Sequence, residues 1–360
     1  MLLGAGAAVL VLGGIRATAW LIGPAFLALI VVVALYPVQA WLRRHDWSNW
    51  LTTLVLVLLV VGVLVLFALV VVVSLARLAA LLPEYADRAD ELRASLAGSL
   101  SSFGVSPGQL DEAVTAIDPD TVATLIAGVL AGLAGTLSSL VFLLCLMMFL
   151  SVDAGGIERR LATVAADRPE LESALRLFAH GTRSYLLVST VFGLIVAVLD
   201  GVALAIIGVP LPVLWGLLAF ITNYIPNVGF IIGLVPPALL ALLTLGVPEL
   251  LTVIAVYCVL NFVIQSLIQP RYVGDSVGLA TTTTFVALAF WAWLLGPLGA
   301  LLAIPLTLLI KALLVDVDPS ARWATALAGS LAAEPRRPRR HRVARTEAPV
   351  AAAAPRAPAA

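Results

Sequence analysis

The sequence predicts an all-α fold: a polytopic helical membrane protein with about eight hydrophobic passes, including two broken helical hairpins in an inverted repeat. Composition is the first observation, because 62% of the 360 residues are apolar, 12% are charged and the mean hydropathy is +1.09. A soluble domain carries about 25% charged residues. The second observation is that apolar stretches of about 20 residues, enough to cross a bilayer, recur along the chain.

The amino-terminal part, residues 1–76, is predicted to form transmembrane helices. A first helix covers residues 1–22, a second starts at Pro24, and residues 47–76 form a third crossing. A signal peptide cleaved after Ala19 is the alternative for the first stretch, but this stretch lacks a basic region beyond the amino terminus. We therefore prefer an uncleaved first helix.

Residues 77–124 differ from their surroundings because they contain eight acidic residues and three arginines. Leucines recur there at helical spacing, which predicts an extracytoplasmic amphipathic helical segment. Residues 125–318 are predicted to be the transmembrane transport core. The tail, residues 319–360, is rich in Arg, Pro and Ala, cannot bury a core and is predicted to be a disordered cytoplasmic segment.

Two uncharged stretches of the core, residues 211–245 and 276–310, are too long for one ordinary crossing and are interrupted at their centres. Polar, Pro and Gly residues cluster at the first interruption, and Gly and Pro at the second, residues 296–299. Lipid cannot satisfy the N–H and C=O groups that a bend frees, so a bend needs protein or water around it. Each stretch is therefore predicted to be a helical hairpin that encloses a polar site.

The distribution of arginine gives an orientation. If each hairpin returns to the side that it entered from, the following all fall on one side: Arg43, Arg44, the loop that contains Arg159 to Arg183, Arg271 and the tail. Positive residues favour the cytoplasm. We expect a multi-pass protein of the bacterial cytoplasmic membrane with both termini in the cytoplasm.

The two long stretches also resemble each other, and each follows one ordinary crossing of opposite direction. The matched positions are 218–220, Pro226, Gly229 and Pro236 in the first, and 288–290, Pro297, Gly299 and Pro305 in the second. Inverted repeats of this layout are common among secondary transporters, whose substrates bind near broken helices. Chance similarity between apolar segments is the alternative.

Several segments together resemble the autoinducer-2 exporter (AI-2E) family of bacterial transporters. They are LYPVQAWLRR (35–44), FLSVDAGG (149–156), GVPLPVLWGLLAFITNYIPNVGFIIGLVPPALLALL (208–243), QSLIQPRYVGDSVGL (265–279) and GPLGALLAIPLTLLIKALL (296–314). The resemblance covers about residues 17–315. It implies about eight hydrophobic passes, cytoplasmic termini, a homo-oligomer and export of a small polar signal or another small solute. Some members of the family are instead sodium/proton antiporters.

Polar side chains inside apolar stretches are costly unless they face a cavity or a partner. The candidates for a substrate pathway are Asn223, Tyr224, Pro226, Asn227, Gly229, Asn261, Gln265, Gln269, Thr282, Pro297 and Gly299. The asparagines and Tyr224 at the first break bind a hydroxylated solute or cap the broken helix ends. The stripe formed by Asn261, Gln265 and Gln269 lines a wet pathway or bonds neighbouring helices.

Asp200 is a candidate coupling residue because it is the only ionisable side chain in the crossing at residues 185–209. It would carry a proton or a sodium ion. The alternative is an acid near a helix end, or one that neighbouring backbone groups satisfy.

Several function classes are excluded or disfavoured. Lys311 is the only lysine and no Gly-Lys pair occurs, which excludes a nucleotide-binding P-loop. No zinc-protease or serine-hydrolase motif is present, so we expect neither enzymatic activity nor a cofactor or metal centre. The expected partners are a small polar solute, sodium or protons, lipid and further copies of the chain, but not nucleic acid. A passive channel and a non-transporting scaffold that uses residues 77–124 stay as alternatives.

Overall fold

The computed structural model describes residues 2–101, 119–226, 228–269 and 280–318. Within these ranges the chain contains helices and no strand, which confirms the all-α fold class. The helices are α1 Leu2–Ala17, α2 Ala19–Arg44, α3 Asn49–Ser101, α4 Pro119–Ala154, α5 Ile157–Asp167, α6 Pro169–Ile207, α7 Pro212–Thr222, α8 Gly229–Thr244, α9 Val247–Asn261, α10 Thr281–Leu295, α11 Pro297–Leu301 and α12 Ala303–Lys311. Two π-helical segments, Phe262–Ile268 and Ala312–Asp316, continue α9 and α12.

Among the described residues, four helices are long and apolar enough to cross a membrane: Ala19–Arg44, Asn49–Ala80, Pro169–Ile207 and Val247–Gln265. A fifth span results if Leu140–Ala154 is counted together with Ile157–Asp167, from which it is bent by 64°. These spans agree with a polytopic helical membrane protein. The number of eight passes and the inverted repeat stay predictions.

The prediction that Pro24 starts the second helix is wrong. Helix α2 already begins at Ala19, and Pro24 is buried inside it. The chain breaks at Thr18 instead, whose hydroxyl donates a hydrogen bond of 2.8 Å to the Gly14 carbonyl. Threonine hydroxyls that bond to a carbonyl of the preceding turn compete with the backbone hydrogen bonds of the helix and bend the chain.

Helix α3 is a single element of 53 residues and continues without a break past the predicted boundary at residue 76. At 1.5 Å per residue it is roughly 80 Å long, well beyond the hydrocarbon thickness of about 30 Å. Its first part, Asn49–Ala80, is the apolar part. Of the acidic segment, residues 102–118 lie outside the described residues, and residues 119–124 already belong to α4.

Helix α6 joins two hydrophobic clusters. Near its amino-terminal end, Phe178 packs with Trp291 and Leu302 of the 281–311 region. Near its other end, Leu204 packs with Trp215 of α7 and Tyr257 of α9. Because α6 also packs against α2 and α5, it connects these two helices to both long interrupted stretches.

Each interrupted stretch folds back on itself. A Cβ atom added at Gly233 of α8 would lie 3.5 Å from the Cα of Ala219 in α7, so the two helices run side by side. At the fold-back, a Cβ added at Gly229 would overlap the Thr222 carbonyl oxygen, and one added at Gly299 would overlap the Trp291 carbonyl oxygen. Only glycine permits this close backbone approach.

Candidate functional site

The break between α7 and α8 lies against one face of α6 and is held there by hydrogen bonds. The Asn223 side-chain amide donates to the Ser189 carbonyl at 3.0 Å. The Tyr185 hydroxyl donates to the Tyr224 carbonyl at 2.8 Å, and the Tyr224 and Thr190 hydroxyls are 2.6 Å apart. Protein groups thus satisfy polar atoms that a break inside lipid would leave exposed.

A chain of side-chain amides connects this break to α9. The Gln265 amide nitrogen donates to the Asn223 side-chain oxygen at 3.2 Å and to the Asn261 side-chain oxygen at 2.8 Å. Asn261 in turn donates to the Tyr257 carbonyl at 2.9 Å. Gln265 lies in the π-helical segment Phe262–Ile268, and such segments frequently occur at functional sites.

Asp200 of α6 lies beside this chain of amides and is completely buried. Within the described part of the chain, neither of its carboxyl oxygens has a hydrogen-bond partner, and the same holds for the hydroxyl of the buried Tyr257. An ionised carboxylate without a partner is very costly in an apolar interior. A bound proton or a small cation would remove this cost.

Asp200 and the amides share a cavity of about 10 Å³. The polar side chains that line it are Asp200, Thr222, Asn223, Tyr257, Asn261 and Gln265. This volume is about the space that one water molecule needs. The site therefore accommodates a water or a desolvated cation, whereas an organic solute would require α7 and α8 to move.

The structure brings only part of the predicted pathway together. Asn223, Asn261, Gln265 and the predicted coupling residue Asp200 meet in the cavity. Tyr224 and Pro226 lie in the break itself, where the Val228 N–H bonds to the Pro226 carbonyl at 2.7 Å.

Gly229 begins α8 at the break, whereas four other predicted pathway residues lie elsewhere. Thr282 lines a separate, apolar cavity between α1, α2, α4, α10 and α12. Pro297 and Gly299 belong to α11, where Leu298 contacts Gly23 of α2. Gln269 is half-buried after the π-helical segment, and Asn227 lies outside the described residues.

Sequence reasoning missed Tyr257, Thr222 and the α6 residues that hold the break. A signal for Tyr257 was available, since it precedes Asn261 by four residues and so extends the stripe of Asn261 and Gln265 along the same helix face. Ser189 similarly precedes Asp200 by 11 residues, about three helical turns, which places both on one face of α6.

Comparison with known protein families agrees with this architecture. The model of the AI-2E family transporter matches residues 6–317. The chain belongs to the AI-2E transporter family. The resemblance found in the sequence is thereby confirmed, and the chain is a multi-pass membrane transport protein for small solutes.

Several relatives match this chain over most of their own length. The AI-2 transport protein TqsA of Escherichia coli (strain K12) is 32% identical over 306 residues, covering 85% of this chain and 89% of the relative. The putative transport protein YhhT of the same organism is 28% identical over 306 residues, covering 84% and 86%. A putative transport protein of Haemophilus influenzae is 27% identical over 331 residues, covering 91% and 95%.

Proposed function

We propose that this AI-2E family member is a secondary transporter that exports small polar solutes, such as an autoinducer-2-like signal, across the bacterial cytoplasmic membrane. We propose further that Asp200 carries the coupling ion, a proton or sodium. The observation that carries the proposal is the buried carboxyl group of Asp200 beside the break between α7 and α8, which has no hydrogen-bond partner within the described ranges. The substrate class is supported by the relative that is named as an AI-2 transport protein.

The chemistry of the cavity suits a cation. Among the residues that the structure describes, no Arg, Lys or His lines it, and Asp200 and Tyr257 are its titratable groups. Thr222, Asn223 and Asn261, whose side chains carry hydroxyl or amide groups, line the same space. Secondary transporters bind sodium ions and protons in this way, at the ends of broken helices inside the membrane.

The amide chain offers a route from ion binding to solute binding. Asn223 and Gln265 form hydrogen bonds with each other and with neighbouring elements. A solute with hydroxyl groups could replace these partners once α7 and α8 move away from α6. In this proposal, the remaining predicted pathway residues, including Asn227 and Gln269, contact the solute only after that movement.

Flux measurements with purified protein in liposomes test the proposal. Autoinducer-2 and related small polyols are offered with and without imposed sodium and proton gradients. We expect saturable flux that a gradient accelerates, and that Asn223→Ala or Gln265→Ala reduces strongly. Thr252→Ala is the control, because Thr252 is exposed on α9 and its hydroxyl bonds to the Pro248 carbonyl. Unchanged flux in both cavity variants would reject the site.

A sodium/proton antiporter is the second candidate, and one observation favours it: the cavity has room for a cation but not for a solute. An antiporter would exchange sodium for protons in liposomes that contain no organic solute. The solute transporter proposed above would exchange them only when its solute is present.

The orientation and assembly are also proposals. Arg43 and Arg44 at the end of α2 support cytoplasmic termini, and the family resemblance supports a homo-oligomer. Cysteines introduced at Asp167 and Val247, in protein without Cys145 and Cys258, should react with impermeant reagents from opposite sides of the membrane. Labelling of both from the same side would contradict this orientation.

A further inference from the structure

A second, larger cavity lies away from Asp200 and is almost entirely apolar. It has a volume of about 1060 Å³ and lies between α1, α2, α4, α10 and α12. Its walls include Phe26 and Leu146 on one side, and Ala287 and Phe290 on the other. The hydroxyl of Thr307, one of the few polar groups in its lining, already bonds to Trp291 and to the Ala303 carbonyl.

The rim of this cavity faces the surroundings of the protein. The lining residues Val286 and Ile310 are 60% and 45% exposed. Inside a bilayer these residues face lipid, so the cavity is accessible to a lipid chain. Water does not fill apolar cavities readily, and a polar solute would lose its hydrogen bonds there. A hydrocarbon chain is therefore the kind of ligand that fits this lining.

A cation marks one end of the cavity. The guanidinium carbon of Arg16 lies 4.9 Å from the centre of the Trp293 ring. Arg16 directly follows the lining residue Ile15, and Trp293 directly precedes the lining residue Leu294. In the part of the chain that the structure describes, Arg16 has no carboxylate partner. It is exposed and free to bind an anion.

Exposed tryptophans place this end at the level of lipid headgroups. Trp20 and Trp41 of α2 are 73% and 58% exposed. They are 21 residues apart, which is roughly 31 Å along a helix and close to the hydrocarbon thickness of about 30 Å. Tryptophans are enriched at both membrane–water interfaces. Arg16 lies four residues before Trp20, across the break at Thr18. This places Arg16 near the same interface, where the phosphate of a phospholipid lies.

We propose that this cavity binds one anionic phospholipid, with an acyl chain between α2 and α10 and its phosphate at Arg16. Arginine forms strong, often bidentate hydrogen bonds with phosphate. A second copy of the chain is a poorer occupant, because helices of a single chain surround a concave space and Arg16 needs a negative charge.

Native mass spectrometry of protein released from bilayers that contain phosphatidylglycerol and phosphatidylcholine tests the proposal. We expect one phosphatidylglycerol to remain bound to each wild-type chain. Arg16→Gln should weaken its retention about fivefold, the effect of one arginine near anionic lipid. Arg77→Gln is the matched control, because Arg77 is exposed on α3 and does not line the cavity.

A second variant blocks the acyl chain. Ala25→Phe projects a ring into the cavity from α2, whereas Ala205→Phe adds the same ring to an exposed position of α6. Of these two variants, we expect only Ala25→Phe to abolish the retention of phosphatidylglycerol. In wild-type protein, a diazirine placed on the acyl chain of phosphatidylglycerol should cross-link to α2 or α10. Retention that is equal for both lipids, or unaffected by Arg16→Gln and Ala25→Phe, would overturn the proposal, as would cross-links outside the cavity.

Discussion

At the scale of single residues, the most consequential feature is a carboxyl group that has no partner among the residues the structure describes. Asp200 is completely buried, and its neighbours in the cavity offer oxygens rather than positive charge. A structural acid in an apolar interior would be paired or hydrogen-bonded. Its lack of a partner among the described residues therefore favours a role in binding an ion.

Binding of sodium at Asp200 would stabilise the folded protein. Any ligand that binds only the native state adds about 1.4 kcal/mol when it is tenfold above its dissociation constant. We expect the thermal midpoint of the wild-type protein to rise when sodium replaces choline, and that of Asp200→Asn to stay constant. Glu249→Gln, at the start of α9, should behave as the wild type. A rise of the thermal midpoint with sodium that persists in Asp200→Asn would show that sodium binds at another site.

Tyr257→Phe separates function from stability. The Tyr257 hydroxyl is buried and unpartnered in the described part of the chain, and such a group costs about 1–3 kcal/mol. We expect the variant to be at least as stable as the wild type in thermal unfolding, yet to lose gradient-driven flux because one oxygen of the site is gone. A variant that keeps full flux would show that this hydroxyl has no part in transport.

Polarity within apolar stretches drew attention to Asp200, Asn223, Asn261 and Gln265, and these four residues line one small cavity. Thr282 lines the other cavity, on a face of α10 that turns towards α2 and α4. The sequence could not predict this separation, because it does not determine which helix faces meet. Tyr257 escaped notice because aromatic residues are common in membrane helices for other reasons.

At the scale of helices, the two fold-backs depend on glycines that lie against a carbonyl of the preceding helix. We expect Gly229→Ala to lower the free energy of unfolding by about 1–3 kcal/mol, since the added Cβ overlaps the Thr222 carbonyl. Gly62 of α3 has open space around it, so Gly62→Ala should stabilise the protein by about 0.5–1 kcal/mol. Unfolding in detergent compares the two, and equal effects would contradict the close approach.

The amide chain between the α7–α8 break and α9 predicts an energetic coupling. In a double-mutant cycle, Asn223→Ala and Gln265→Ala should interact by about 0.6–1.7 kcal/mol, the range of hydrogen bonds between membrane helices. Gln265→Ala combined with Thr282→Ala should be additive within about 0.5 kcal/mol, because Thr282 lies in the other cavity. Coupling of the second pair and not the first would invalidate the assignment of these residues to separate cavities.

The sequence predicted the membrane helices more reliably than their ends. Apolar length identified α2, α3, α6 and α9 as spans. It placed the first break at Pro24 rather than Thr18, because a side chain that bonds to its own backbone leaves no signal in hydropathy.

At the scale of the whole molecule, α6 connects the two interrupted stretches. It packs near one end with α10–α12 and near the other with α7–α9, and Asp200 lies on it between these contacts. A change in the charge of Asp200 therefore acts on the element that both stretches share. Hydropathy could predict that two interrupted stretches exist, but not that, among the described residues, only those of the first stretch contribute polar groups to the small cavity.

The central claim is that Asp200 couples an ion gradient to solute movement without being needed for solute binding. It is tested most directly by measuring solute counterflow and gradient-driven uptake in the same liposomes that contain Asp200→Asn. We predict that counterflow persists while the gradient no longer accelerates uptake. Uptake that still follows the sodium or proton gradient in this variant would contradict the claim.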